Sequence, residues 1–161
     1  PESGTSVKLY FPRSDRSSER PMDHQTNAES LGGVGSILVV EDDALVRSHL
    51  TALLSGLGYE VLSADSGPSA LRIIERRHEI DLLLTDVVMP EGMNGRQLAD
   101  AALALNPKLK VLFRSGYSEE AIIHHGRLDP GVEFIGKPYR RAQLADKVRK
   151  ILESRADKPF Q

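Results

Sequence analysis

The chain has no cysteine and no tryptophan among its 161 residues, and aromatic residues make up only 5% of it. Without cysteine it can form no disulfide bond, no thiolate metal site and no cysteine nucleophile, a composition that suits a reducing cytoplasm. It also lacks any apolar run near the ~20 residues that cross a bilayer. We therefore expect a cytoplasmic location and no membrane contact by this chain, whether its parent protein is soluble or membrane-anchored.

The chain also has little excess of acidic over basic residues, with 23 Asp and Glu against 21 Lys and Arg. The formal net charge is −2 and the isoelectric point about 6.2, so nothing indicates general binding to nucleic acid. Hydrophobic residues make up 40% of the chain, which is enough for a buried core, and the length predicts one domain with tails. Because the chain begins with Pro1 rather than methionine, we expect a fragment or a processed product.

Residues 12–35 are rich in Ser, Pro, Gly and charge and predict a flexible linker. From residue 36 onward, strand and helix patterns alternate. Strands are predicted at 37–40, 59–64, 80–85, 109–113 and 132–135, and helices at 44–57, 66–77, 96–105, 118–125 and 140–154. Five strand–helix repeats with continuously apolar strands predict a parallel sheet that is covered by helices on both faces.

Two of the predicted strands end in acidic residues. Asp86 follows the apolar third strand, and Glu41, Asp42 and Asp43 follow the first. Carboxyl ends of parallel strands meet at the edge where open α/β sheets bind ligands. Crowded carboxylates repel one another, so this edge predicts a Mg²⁺ (or Mn²⁺) site beside a nucleophilic carboxylate. The alternative is that these acids only cap turns and helices.

Residues 36–154 resemble the receiver domain of two-component response regulators. The resemblance rests on four motifs in order, namely Ile37-Leu38-Val39-Val40-Glu41-Asp42-Asp43, Asp86 with Met89-Pro90 and Gly95, Ser115-Gly116, and Lys137-Pro138. It implies a flavodoxin-like, doubly wound α/β fold with five helices and a five-stranded parallel sheet in the order 2-1-3-4-5.

The resemblance also implies roles for the acids. Asp86 would be the phosphoacceptor, attacking the phosphorus of a phosphohistidine to give an acyl phosphate. Asp42 would bind Mg²⁺ directly, Glu41 would act through water, and Asp86 and the backbone carbonyl of Val88 would complete the protein ligands. Asp43 follows the matching pair and could simply cap the next helix.

Three further residues match positions of the family. The Ser115 hydroxyl would bond a phosphoryl oxygen, and the Lys137 ammonium would pair with Asp86 and then with the phosphoryl group. Ser115 and Phe134 would form the conformational switch, although plain core packing explains Phe134 equally well. Arg114 departs from the family, which carries small or apolar residues there, and we expect it near the rim of the site.

The ends of the chain give a second resemblance. Residues 1–11 are similar to the last strand of a histidine-kinase ATP-binding domain. With the linker at 12–35, the receiver at 36–154 and a tail at 155–161, the order implies the C-terminal part of a hybrid sensor histidine kinase. A histidine kinase or a histidine phosphotransfer protein would donate or accept the phosphoryl group. The sequence leaves a homodimer open.

Other functions remain open at this point. A free-standing single-domain response regulator would carry the same motifs. An Asp-nucleophile phosphatase of the dehalogenase type would need a second Asp two residues after Asp86, where Val88 stands. A pseudo-receiver would only bind partners. A DNA-binding regulator is disfavoured, because seven residues after Ser154 are too few for an output domain. As an enzyme, the fragment would catalyse only its own phosphorylation and dephosphorylation.

Overall fold

A computed structural model describes residues 7–8, 10, 33–89, 92–116 and 132–153. Residues 12–32 of the predicted linker at 12–35, the predicted helix at 118–125 and the predicted tail at 155–161 lie outside the described residues, as does nearly all of the predicted kinase strand. None of the described helices is long and apolar enough to cross a membrane.

The described chain alternates strands and helices. The strands are β1 (Ser36–Val40), β2 (Glu60–Ala64), β3 (Leu82–Asp86), β4 (Lys110–Ser115) and β5 (Val132–Gly136). The helices are α1 (Ala44–Ser55), α2 (Gly67–Arg76), α3 (Gly95–Leu105) and α4 (Arg141–Glu153). All strand pairs are parallel and the sheet order is β2-β1-β3-β4-β5. The predicted fold class and strand order are confirmed, with four helices among the described residues.

One difference from the predicted strand bounds concerns β4. The sequence predicts an end at Phe113, whereas the strand continues through Arg114 to Ser115. The two polar residues end the apolar run in the sequence, yet both side chains are buried. Because Arg114 belongs to the strand, its position is fixed by the sheet rather than by a loop.

The four described helices pack in two pairs, one on each face of the sheet. On one face α2 and α3 pack against apolar side chains of the sheet, with Ile74 and Leu98 fully buried. On the other face α1 and α4 do the same, with Leu54 and Leu144 fully buried. Burying a Leu or Ile side chain contributes roughly 1.5–3 kcal/mol each, so these two layers hold the strand ends at fixed positions.

Two caps place the helices next to the carboxyl edge of the sheet. Asp43 caps α1, accepting hydrogen bonds from the amides of Leu45 (2.8 Å) and Val46 (3.0 Å). Asn94 caps α3 in a reciprocal box with Gln97: its side chain accepts from the Gln97 amide at 2.8 Å. Both helices therefore begin close to the ends of β1 and β3.

Candidate functional site

The register of the sheet aligns an acid with a base. Asp86, the last residue of β3, is the register partner of Arg114 in β4. On the other side of β3, Val40 pairs with Thr85, so Glu41 follows β1 beside Asp86. Register partners in parallel strands project their side chains on the same face. The sheet therefore brings Glu41, Asp86 and Arg114 together from three neighbouring strands.

Asp86 is the centre of this cluster and is only 9% exposed. Its Oδ2 lies 2.5 Å from the Lys137 ammonium, and its Oδ1 lies 3.1 Å from Arg114 Nη2. The Arg114 contact is an ion pair without hydrogen-bond geometry, so within the described part of the chain Oδ1 is buried and accepts no hydrogen bond. The carboxylate is thus held by two cations and retains one oxygen with uncommitted lone pairs.

Glu41 is the second buried acid, 4% exposed. Its Oε2 accepts a hydrogen bond from Arg114 Nη2 at 2.9 Å, and its Oε1 accepts one from the Asp43 amide at 3.4 Å. Burial and the nearby charge of Asp86 raise the pKa of Glu41 above 4.5, while the cations of Arg114 and Lys137 oppose the rise. Glu41 therefore shares both its counter-ion and its electrostatic environment with Asp86.

The acids that follow Glu41 have different surroundings. Asp42 is exposed, and its carbonyl accepts a hydrogen bond from Arg47 Nη1 at 3.1 Å. Asp43 caps α1, and hydrogen bonds from the Val46 and Leu45 amides lower its pKa. The predicted capping role of Asp43 is confirmed, which separates it from the buried pair.

The prediction for Arg114 was wrong. Instead of lying at the rim, its side chain is 2% exposed and donates into the centre of the cluster. The reason is the extra length of β4, which gives Arg114 the register position opposite Asp86.

The far side of Arg114 faces an aromatic ring. Its guanidinium carbon lies 5.9 Å from the centroid of Tyr139, within the range of a cation–π contact. Burial raises the pKa of the Tyr139 phenol above 10.0, opposed by the Arg114 cation. Among the described residues, Arg114 Nε and Nη1 are buried without a hydrogen-bond partner. Only one of its three nitrogens is therefore committed to the acids.

The remaining predicted residues border the cluster. Ser115 is buried at the end of β4, and its carbonyl accepts the Lys137 amide at 2.7 Å. A Cβ at Gly116 would meet none of the described residues within 4 Å. The Lys137–Pro138 peptide bond is cis, as the resemblance implied. Phe134 is half-buried and packs against the core, and its switch role stays a prediction.

The candidate divalent-cation site offers few carboxylate donors. The described residues contain no group of three or more Asp, Glu, His or Cys arranged to hold a metal ion. The donors nevertheless fit Mg²⁺, because two buried carboxylates meet and Asp86 Oδ1 accepts no hydrogen bond from any described residue. Val88 itself is 63% exposed. The metal-binding roles of Glu41, Asp42, Asp86 and the Val88 carbonyl stay a prediction.

Comparison with known proteins decides the family. Residues 37–149 match the response regulator receiver domain. The chain is a member of that family. The chain is 35% identical to the sensor kinase CckA of Brucella abortus over an alignment of 158 residues that covers 93% of this chain and 17% of the kinase. It is 34% identical to the response regulator receiver protein CpdR of the same organism over 116 residues, 72% of this chain and 95% of that protein.

Solved structures of receiver domains have the same fold as this chain. The receiver domain of the hybrid histidine kinase CckA is 40% identical, with a TM-score of 0.63, over 73% of this chain and 99% of that chain. A CheY-like receiver from Methanospirillum hungatei is 28% identical, with a TM-score of 0.69, over 79% of this chain and 100% of that chain. The receiver thus functions in two-component signalling, in a family that exchanges phosphoryl groups with histidine kinases or phosphotransfer proteins and generally uses Mg²⁺.

The sequence prediction missed two residues of the receiver's site. Arg47 Nη1 donates to the Glu41 carbonyl at 2.6 Å as well as to that of Asp42, and so fixes the acidic turn. Its position one helical turn after the Asp43 cap could have indicated this. Tyr139 contacts Arg114 from the segment after Pro138, and no local pattern signals that contact.

Proposed function

We propose that Asp86 is the phosphoacceptor of this receiver. The observation that carries the proposal is its position: it is the last residue of a buried strand, paired with Lys137, with one carboxylate oxygen that accepts no hydrogen bond from the part of the chain that the structure describes. An Asp86 oxygen attacks the phosphorus of a phosphohistidine. The phosphorus–nitrogen bond breaks as the phosphorus–oxygen bond forms, and the imidazole leaves as the neutral ring after taking up a proton.

Neighbouring side chains have separate tasks in this transfer. Lys137 holds the Asp86 carboxylate and then neutralises the transferred group. The Ser115 hydroxyl donates to a phosphoryl oxygen, and Ser115 and Phe134 carry the switch to the surface. Mg²⁺ (or Mn²⁺), held by Glu41, Asp42, Asp86 and the Val88 carbonyl, supplies charge neutralisation when bound.

The proposed parent protein is a hybrid histidine kinase, with residues 1–11 ending its ATP-binding domain and 12–35 forming the linker. The alignment with CckA supports this, because it covers 93% of the chain and so extends beyond the residues that match the receiver family. The partner is then a histidine kinase or a histidine phosphotransfer protein. The gene upstream of the codon for Pro1 tests the proposal: it should encode a histidine-kinase core, and a gene that encodes none contradicts it.

Phosphorylation of Asp86 is tested with acetyl phosphate and Mg²⁺, using intact mass to follow the chain. The wild type should gain one phosphoryl group and Asp86→Asn none. Asp43→Asn is the matched control: it makes the same chemical change in the same acidic edge, keeps the α1 cap, and should be labelled like the wild type. Normal labelling of Asp86→Asn refutes the assignment. Sustained hydrolysis of added phosphate esters would instead favour a phosphatase.

A further inference from the structure

The Arg114 guanidinium lies in the space between the two buried carboxylates. Its Nη2 is 2.9 Å from Glu41 Oε2 and 3.1 Å from Asp86 Oδ1. A cation that two carboxylates share lies between their oxygens, which is where Nη2 is found. Arg114 Nη2 therefore has the position of a cation shared by Glu41 and Asp86.

The charges of the cluster lead to the same conclusion. The carboxylates of Glu41 and Asp86 are balanced by the guanidinium of Arg114 and the ammonium of Lys137, so the cluster has no net charge. A divalent cation that entered while Arg114 stayed in place would meet two positive groups at short range in a mostly buried site. Movement of Arg114 away from the acids removes one of these repulsions.

Beyond those two contacts, Arg114 faces an aromatic ring. Its Nε and Nη1 are buried without hydrogen-bond partners among the described residues, which is an unfavourable state for a buried guanidinium. The Tyr139 ring on its far side stabilises the cation without requiring the acids. Release of Nη2 breaks two ion pairs, one of which is also a hydrogen bond, while the contact with Tyr139 can remain.

We propose that Arg114 is a resident cation that divalent metal must displace from Glu41 and Asp86, so that it sets the metal concentration at which this receiver becomes competent. The inference rests on the proposed function, in which these acids bind Mg²⁺. Arg114 is then a specificity-determining residue: it neutralises the resting acids and weakens metal binding relative to a receiver with an apolar residue at this position.

The direct test is calorimetric titration of the 161-residue chain with Mg²⁺, without any phosphodonor. Arg114→Met, which removes the charge and keeps much of the side-chain volume, should bind Mg²⁺ about tenfold tighter than the wild type or more. Arg114→Lys keeps a cation in the site and should stay closer to the wild type. Arg77→Met is the control for net charge, because Arg77 forms an exposed pair with Glu60, and it should bind like the wild type.

Three results would overturn the inference: equal or weaker Mg²⁺ binding by folded Arg114→Met, no binding by either protein, or an equal gain in Arg77→Met. If circular dichroism shows that Arg114→Met is unfolded, the wild type provides the test by NMR. The NMR resonance of Arg114 Nε–H is assigned by its loss in Arg114→Lys. It should shift as Mg²⁺ saturates the site. An unmoved resonance at saturation refutes displacement.

The same samples separate this inference from the proposed function. Labelling by acetyl phosphate at saturating Mg²⁺ reports on Asp86 alone. If the wild type is labelled but the affinity does not rise in Arg114→Met, only the role of Arg114 is wrong. If the affinity rises and no protein is labelled, the phosphoacceptor assignment is wrong and the displacement stands.

Discussion

Lys137 and Asp86, 51 residues apart in the chain, meet at 2.5 Å between the ammonium nitrogen and Oδ2. Lys137 immediately follows the end of β5 and Asp86 ends β3, so this ion pair spans β4, the strand that lies between them. Any group transferred to Asp86 would therefore arrive next to a cation whose position is set by a different strand. We therefore predict that Lys137 transmits a change at Asp86 to β5.

Lys137→Ala should retain Mg²⁺ binding and lose the conformational response to phosphorylation, because the acids remain while the link to β5 is removed. The measurement is the change in amide hydrogen exchange of β5 on addition of acetyl phosphate and Mg²⁺. Lys147→Ala is the matched control, since Lys147 pairs with Glu133 at 2.6 Å outside the Asp86 cluster. A full response in Lys137→Ala removes this lysine from the switch.

The raised pKa of Glu41 gives a pH dependence with a definite sign. The folded protein holds the Glu41 proton to higher pH than the unfolded chain does. The resulting stabilisation is complete below 4.5 and is lost as pH rises through the raised folded pKa. Glu41→Gln is neutral at every pH in this range. As pH rises from 4.5 through the raised folded pKa, its free energy of unfolding should therefore change relative to the wild type in favour of the variant.

Urea unfolding in the presence of a chelator measures this difference at several pH values. Glu60→Gln, at an exposed carboxylate paired with Arg77, controls for removing an acid elsewhere. A stability difference between Glu41→Gln and the wild type that does not vary with pH contradicts the prediction.

Gly95 at the start of α3 should tolerate no side chain. A Cβ there would lie 1.9 Å from the Asp86 carbonyl oxygen and 3.1 Å from Val87 Cα. Helix propensity alone favours Ala over Gly by up to about 1 kcal/mol. The clash with backbone should instead make Gly95→Ala destabilising, by about 1–3 kcal/mol, and should displace Asp86.

Gly116→Ala is the control, because a Cβ there would meet no atom of residues 33–89, 92–116 and 132–153 within 4 Å, and its stability should stay within about 0.5 kcal/mol of the wild type. Urea unfolding measures both variants, and labelling by acetyl phosphate reports whether Asp86 has moved. A neutral or stabilising Gly95→Ala would show that α3 can move away from β3 at little cost.

The fold was predictable because each strand and helix has a local signal. Continuously apolar strands and the alternation with helices indicate a covered parallel sheet, and the observed order matches. Asp86 and Lys137 were also accessible from the sequence, since each stands at the end of a strand, where parallel sheets bind ligands.

Arg114 was not predictable in the same way. An Arg after three apolar residues resembles the end of a strand, because its burial depends on partners that a local window does not contain. Its acceptor Glu41 lies 73 residues earlier in the chain. Only the register of three strands shows that the guanidinium is neutralised and can be buried.

The order of these residues along the chain has a consequence for biosynthesis. A ribosome delivers both acids, Glu41 and Asp86, before either base, Arg114 or Lys137. A nascent or truncated product that stops short of β4 would carry two carboxylates that it cannot bury without a counter-ion. Competence to accept a phosphoryl group should therefore appear only once the last strand has been added, and an incomplete product should stay silent in signalling.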